Sequence, residues 1–221
     1  MHRFETILLD LDGTIVDAFI TIHRCYVHTL PQFGQPVPTM DAVRRAVGGG
    51  LENAMRHFLP EAQIPAAAKI FNAYSQTILL EDVTLFPGTM ELLRAEQARG
   101  VQLAVFTNKL GVSARRICAH LGVTPFLAGI FGAKDTPWLK PQPEFAAHVL
   151  AQLAAQPATT LLIGDSPFDV QAAHAGGFAC WCVATGTHTA DELRTAGAEQ
   201  VFPDLPALTA ALAVTAAPAR G

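Results

Sequence analysis

The run LLDLDGTIVD at residues 8–17 sets three aspartates into an otherwise apolar stretch. Asp10 and Asp12 are two residues apart, so in an extended segment both carboxyls point the same way and can reach one atom. Gly13 follows at once and lets the backbone turn close to a ligand with no Cβ in the way. Three later stretches repeat the pattern of an apolar run that ends in polar residues. VQLAVF runs into Thr107-Asn108-Lys109; LAGIF is followed after a loop by Lys140-Pro141; TTLLIG ends in Gly164-Asp165-Ser166, with Asp169 a turn later. Each residue alone has a plain explanation: an N-cap for Asp10 or Asp12, turn formers in Thr107 and Asn108, a solvated charge in Lys140, and a cap for a helix opening at Pro167 in Asp165. Aspartates gathered at one rim would repel one another unless a cation lay between them, and carboxylate and carbonyl oxygens are the ligand set of Mg2+. Lys140 and the Thr107 hydroxyl would face the same place and prefer an anion. A divalent cation beside an anion pocket points to phosphoryl chemistry.

The elements that must position these residues alternate. Apolar runs at 6–11, 101–106, 127–131, 159–164 and 178–184 have strand length, and helical segments separate the later ones. That order predicts an α/β fold with a Rossmann-like parallel sheet covered on both faces, and such sheets bind ligands beyond the carboxyl ends of their strands. Residues 17–82 break the rhythm. They read as helices punctuated by Pro31, Pro36, Pro38, Pro60 and Pro65, with Thr39 placed to cap one of them. Asp17 reads as a cap or brace where this stretch begins. The expected organisation is a core of 1–16 and 83–221 with an inserted helical domain, 17–82. A last short helix is expected near ALTAAL, and a frayed tail in AVTAAPARG.

The 221 residues are half hydrophobic and only 15% charged, so a sizeable apolar core is expected. A net charge of −4 gives no basic face for nucleic acid. No apolar stretch approaches the ~18 residues of a membrane span, and MHRFETILLD does not read as a signal peptide. The four cysteines show no CxxC pairing and read as buried free thiols. The chain is therefore expected in the cytoplasm, as a monomer or homodimer that binds neither membrane nor nucleic acid.

In their order and spacing, DLDGTIVD, VFTNK, LKPQP and IGDSPFDVQAAHAGG resemble the four motifs of the haloacid dehalogenase-like (HAD) hydrolase superfamily. The group they resemble is that of small phosphatases including phosphoglycolate phosphatase, which carries a C1-type cap between its first two motifs. The resemblance implies a nucleophile at Asp10 that becomes an aspartyl-phosphate, and a general acid and base at Asp12. It implies phosphate held by Thr107, Asn108, Lys140 and the backbone near Gly13, and Mg2+ taken by the Asp10 carboxylate, the Asp12 backbone carbonyl and Asp165. Asp169 is implied to orient Lys140 or a metal-bound water.

Dehalogenases of this superfamily lack the second acid, so Asp12 favours a small phosphorylated metabolite, with phosphoglycolate first and pyrophosphate, a nucleotide or a sugar phosphate behind it. Related sugar phosphomutases carry a histidine in the first cap helix. His23 stands one residue out of that register, and the mutase-like Ser-Arg pattern is missing. A non-catalytic phosphate binder would have no need of both Asp10 and Asp12. For specificity the candidate is VGGGLENAM, 47–55, where Gly49 could approach a ligand closely. Of Arg44, Arg45 and Arg56, one at most is expected on substrate; Arg56 is the first choice as partner for a substrate carboxylate.

Overall fold

The computed structural model describes residues 4–215. In chain order the elements begin with β1 (Thr6–Leu9), β2 (Val16–Asp17), α1 (Phe19–Thr29), α2 (Met40–Ala46), α3 (Leu51–Met55), α4 (Ile64–Ile78) and β3 (Thr84–Leu85). There follow α5 (Thr89–Ala98), β4 (Gln102–Leu110), α6 (Gly111–His120), β5 (Gly129–Ala133), α7 (Pro143–Leu153) and β6 (Thr160–Gly164). The chain closes with α8 (Pro167–Gly176), β7 (Ala179–Val183), α9 (Ala190–Thr195), β8 (Gln200–Phe202) and α10 (Leu205–Thr215).

Six of the strands form one parallel sheet in the order β5-β4-β1-β6-β7-β8. Burial on both faces explains why the strands read as unbroken apolar runs rather than alternating ones. The alternation shows in where side chains go. Ile7, Leu9, Leu103, Val105, Leu161 and Ile163 enter one apolar cluster. Leu8, Ala104, Phe106 and Leu162, which alternate with them in sequence, enter the cluster on the other face. With β1 central, the chain fills one side of the sheet through β4 and β5 and the other through β6, β7 and β8. The carboxyl ends around β1 are therefore a topological switch point.

Helices α1 to α4 gather around a third cluster that includes Tyr26, Leu30, Val43, Met55 and Phe71. Thr39 caps α2, its hydroxyl accepting the Ala42 N–H at 3.2 Å. Within the region read as helical, the stretch 50–59 is a helix only over Leu51–Met55. The helices join the sheet through a two-stranded ribbon in which β2 and β3 pair antiparallel, Val16 opposite Leu85 and Asp17 opposite Thr84. Asp17 Oδ1 also accepts the Phe19 N–H at 3.2 Å, bracing the start of α1. This ribbon, α9 and β8 are not among the elements read from sequence. All are too short to show a period. The four cysteines are buried and free, and no helix among the described residues is long and apolar enough to cross a membrane. The expected tail lies mostly outside the described residues.

Candidate active site

The polar residues read from sequence meet at the carboxyl ends of β1, β4 and β6; β4 runs on past the apolar run 101–106, so Thr107, Asn108 and Lys109 lie in its last, irregular part. Lys140 is buried between two carboxylates, its Nζ 2.9 Å from Asp10 Oδ1 and 2.6 Å from Asp169 Oδ1. The contact with Asp10 has the reach of an ion pair without the angles of a hydrogen bond, which leaves Asp10 Oδ1 a buried oxygen with no hydrogen-bond donor. Burial holds the Asp10 carboxyl up at about 6; the Lys140 charge pulls it down and Asp169 pushes it up. Asp165 is raised well above the carboxylate range, first by burial and then by Asp10 and Asp169. Burial works against the charge on Lys140, but the two carboxylates beside it more than offset that and hold the ammonium protonated.

Asp165 is fixed by donors on both oxygens. Thr14 donates its hydroxyl to Oδ1 at 3.0 Å, and Thr187 donates its N–H at 2.8 Å and its hydroxyl at 2.9 Å to Oδ2. A Cβ on Gly13 would stand 2.5 Å from Asp165 Oδ2, and one on Gly186 would run into the same oxygen, so this cradle admits no side chain at either position. Asp169 has a different job. Its Oδ2 accepts from the Asp165 N–H, the Ser166 N–H and the Ser166 hydroxyl while Oδ1 takes Lys140. Ser166, rather than Asp165, is the N-cap of α8, in a capping box with Asp169.

Asp10, Asp165 and Asp169 bring carboxylate oxygens within 4.8 Å of one another, all buried. One ammonium among three carboxylates leaves negative charge that a hard divalent cation would satisfy. Asp169 already accepts four contacts, so Asp10 and Asp165 are the carboxylates free to bind such an ion.

Asp12 pairs through both oxygens with Lys109 Nζ, at 2.8 and 3.0 Å. Thr107 lines the cavity above the carboxylates, its hydroxyl accepting the Lys109 N–H at 3.2 Å. The Asn108 side chain is a clasp. Its Nδ2 donates to the Gly48 and Lys140 carbonyls, both at 3.0 Å, and its Oδ1 accepts the Lys140 N–H at 2.8 Å. One of these bonds crosses from the sheet to the loop between α2 and α3.

That cavity, about 470 Å³, lies between the sheet rim and helices α1 to α4, and Asp10, Asp12, Gly49 and Arg56 all line it. Gly49 packs toward the Phe168 ring, which a Cβ would meet at 2.6 Å. The arginines are engaged elsewhere. Arg56 holds Glu61 by two hydrogen bonds of 2.9 and 3.0 Å at an exposed position. Arg45 reaches Glu192 at 3.2 Å, and Arg44 lies 4.1 Å over the Phe19 ring. His23 Nε2 contacts the Pro38 carbonyl at 2.9 Å.

Sequence reasoning assigned no role to Lys109, Thr14, Ser166, Gly186 or Thr187. Lys109 stands two residues after Thr107, on the same side of an extended segment, and TGT at 185–187 is a further polar stretch beyond a strand end.

A family model described as haloacid dehalogenase-like hydrolase matches residues 7–183. The "Probable phosphatase IndB" of Dickeya dadantii is 30% identical over 196 residues, 86% of this chain and 85% of the relative. The phosphoglycolate phosphatase of Pseudomonas syringae pv. syringae is 30% identical over 211 residues, 91% of this chain and 77% of the relative. Among solved structures, a haloacid dehalogenase-like family hydrolase from Streptococcus pneumoniae superposes with a TM-score of 0.87 at 26% identity, over 96% of this chain and 99% of that one. The chain belongs to the haloacid dehalogenase-like hydrolases, in the phosphatase group of that family that includes the phosphoglycolate phosphatases.

Proposed function

We propose that the chain is a Mg2+-dependent phosphatase that hydrolyses a small phosphorylated metabolite through an aspartyl-phosphate. The observation that carries the reading is the pair Asp10 and Asp12 on one cavity wall, with Lys140 buried against Asp10. A carboxylate oxygen of Asp10 attacks phosphorus as the ester P–O bond breaks, and the departing alcohol oxygen takes a proton from Asp12. Water then loses a proton to Asp12 and attacks phosphorus, the bond to Asp10 breaks, and inorganic phosphate leaves with both aspartates restored. Lys140 offsets charge on the nucleophile and on the phosphoryl oxygens, while Thr107, the Asn108 N–H and the backbone at Gly13 bind those oxygens. Mg2+, held by the Asp10 and Asp165 carboxylates and the Asp12 carbonyl, would supply further offset of negative charge. Asp169 keeps Lys140 in place.

Residues 17–82 act as a cap over a core of 1–16 and 83–221, excluding water when closed. The Asn108–Gly48 and Arg45–Glu192 contacts support that closure. Four buried free thiols suit the reducing cytoplasm. The names of the curated relatives put phosphoglycolate first among substrates to test. His23 is tied to a backbone carbonyl and does not line the cavity, so nothing favours a mutase.

The test is hydrolysis of 4-nitrophenyl phosphate with Mg2+ and with a chelator, by the parent and by Asp10→Asn. The parent should require the metal, and the variant should lose at least about a thousandfold in kcat. Equal rates in parent and variant would end the phosphatase reading.

A further inference from the structure

The wall of the cavity that faces the sheet rim is built from two helix faces. In α1, Thr21, Ile22, Cys25 and Tyr26 line it, and in α4, Ala68, Phe71, Asn72 and Ser75 do. Both sets follow the three-and-four spacing of a single helical stripe. Neither stripe carries a charge.

Neutrality extends to most charged neighbours. Arg56 is paired with Glu61 and Lys109 with Asp12. Lys134 and Glu52 also line the cavity, but both are exposed and of opposite sign. A substrate carboxylate pushed against the α1 and α4 stripes would lose water and gain no countercharge there, which is unfavourable.

The stripes do offer neutral hydrogen-bonding groups. Tyr26 is 1% exposed and packs its ring 5.0 Å from both Phe58 and Phe71. Among the described residues its hydroxyl makes no hydrogen bond, nor do the carboxamides of Asn72 and, within α3, Asn53. None of these polar atoms is sealed off in the core, so each stands open to a ligand that can donate or accept a hydrogen bond. At about 470 Å³ the cavity is also in the range that encloses ligands far larger than a short hydroxy acid.

We infer that the alcohol this site releases is uncharged and ring-bearing, a sugar or nucleoside rather than glycolate, recognised by the Tyr26 hydroxyl and the Asn72 carboxamide against the Phe71 ring. The inference rests on the phosphatase reading and narrows it. Rings offer apolar faces to Tyr26 and Phe71, and their hydroxyl or amide edges match a phenol and a carboxamide, which both donate and accept.

The experiment measures kcat/KM with Mg2+ for phosphoglycolate, ribose 5-phosphate, glucose 6-phosphate and the common nucleoside 5′-monophosphates. It uses the parent, Tyr26→Phe and Asn72→Ala, with thermal midpoints to confirm folding. At least one neutral ester should exceed phosphoglycolate by about tenfold or more; whether it is a sugar phosphate or a nucleotide separates the two sources of such a ring. Each variant should lower kcat/KM for that ester roughly three- to tenfold, and lower it less for phosphoglycolate. Phosphoglycolate as the best substrate, or variants that affect all esters equally, would overturn the inference and leave the phosphatase intact. No hydrolysis of any ester, including 4-nitrophenyl phosphate, would overturn both.

Discussion

The floor and the roof of the cavity are built on opposite plans. On the floor the charged groups are held by one another and by their hydrogen bonds. Asp169 takes four contacts, Asp165 takes three donors, and Lys140 sits between Asp10 and Asp169. On the roof, Tyr26 and Asn72 present polar atoms that no residue satisfies, while Arg44, Arg45 and Arg56 are occupied with partners of their own. A floor of this kind is preorganised: its charges need not move when a phosphoryl group arrives, which is where electrostatic catalysis is most effective. A roof of the other kind leaves groups to be completed by whatever alcohol the phosphate is attached to. Chemistry that is common to many esters belongs on the first surface, and discrimination among them on the second.

Breaking the floor should have the largest effect. Lys140→Met removes the ammonium while leaving Asp10 and Asp169 buried beside Asp165, and loss of one partner of a buried ion pair costs on the order of 3–5 kcal/mol. Urea unfolding should show a loss of that order, and kcat should fall by at least about a hundredfold. Mg2+ should recover part of the lost stability, because a cation then has carboxylates without a rival. A variant as stable as the parent in the absence of metal would mean that the carboxylates are neutral, and the electrostatic account of the floor would fail.

A smaller break tests the cradle rather than the charge. Gly186→Ala brings a methyl group into Asp165 Oδ2 and to 2.8 Å from the Gly13 Cα. Asp165 is held by three hydrogen bonds and cannot swing aside freely, so the strain should fall within the ~1–3 kcal/mol of overpacked sites. The Mg2+ concentration for half-maximal activity should rise by about tenfold or more. An unchanged metal requirement with reduced stability would take Asp165 out of the set of metal-binding residues.

The two surfaces also differed in how far the sequence revealed them. Asp10, Asp12, Thr107 and Asp165 interrupt or end apolar runs, where a core strand has no use for them, and Lys140 follows another such run after a loop, so their types and places were readable in the sequence. The partner of Asp12 was less readable. Lys109 had the right spacing from Thr107, but a lysine at a strand end is usually solvated. Thr187 donates to Asp165 across 22 residues, with α8 and β7 between them, and no local pattern reports such a contact. The Thr189–Glu192 capping box did carry a signal for α9, in the form T-x-x-E, though six residues give no apolar period. On the roof, sequence could place arginines near the cavity and could not show that Glu61, Glu192 and Phe19 would occupy them. An arginine's availability depends on its neighbours in space, which spacing along the chain does not encode.

That last point gives the smallest expected effect and the finest test of the contrast. Arg56 lines the cavity, yet its guanidinium holds Glu61 at an exposed site, and exposed pairs contribute little. Arg56→Ala should leave kcat/KM for phosphoglycolate within about twofold of the parent. Glu61→Ala is the informative companion, because it frees the guanidinium without moving it. If acidic esters are disfavoured because the roof has no spare cation, the freed Arg56 should lower KM for phosphoglycolate while leaving that for glucose 6-phosphate unchanged. A tenfold loss with Arg56→Ala would mean instead that Arg56 gives up Glu61 for the substrate's carboxylate, and the roof would then be charged when it matters.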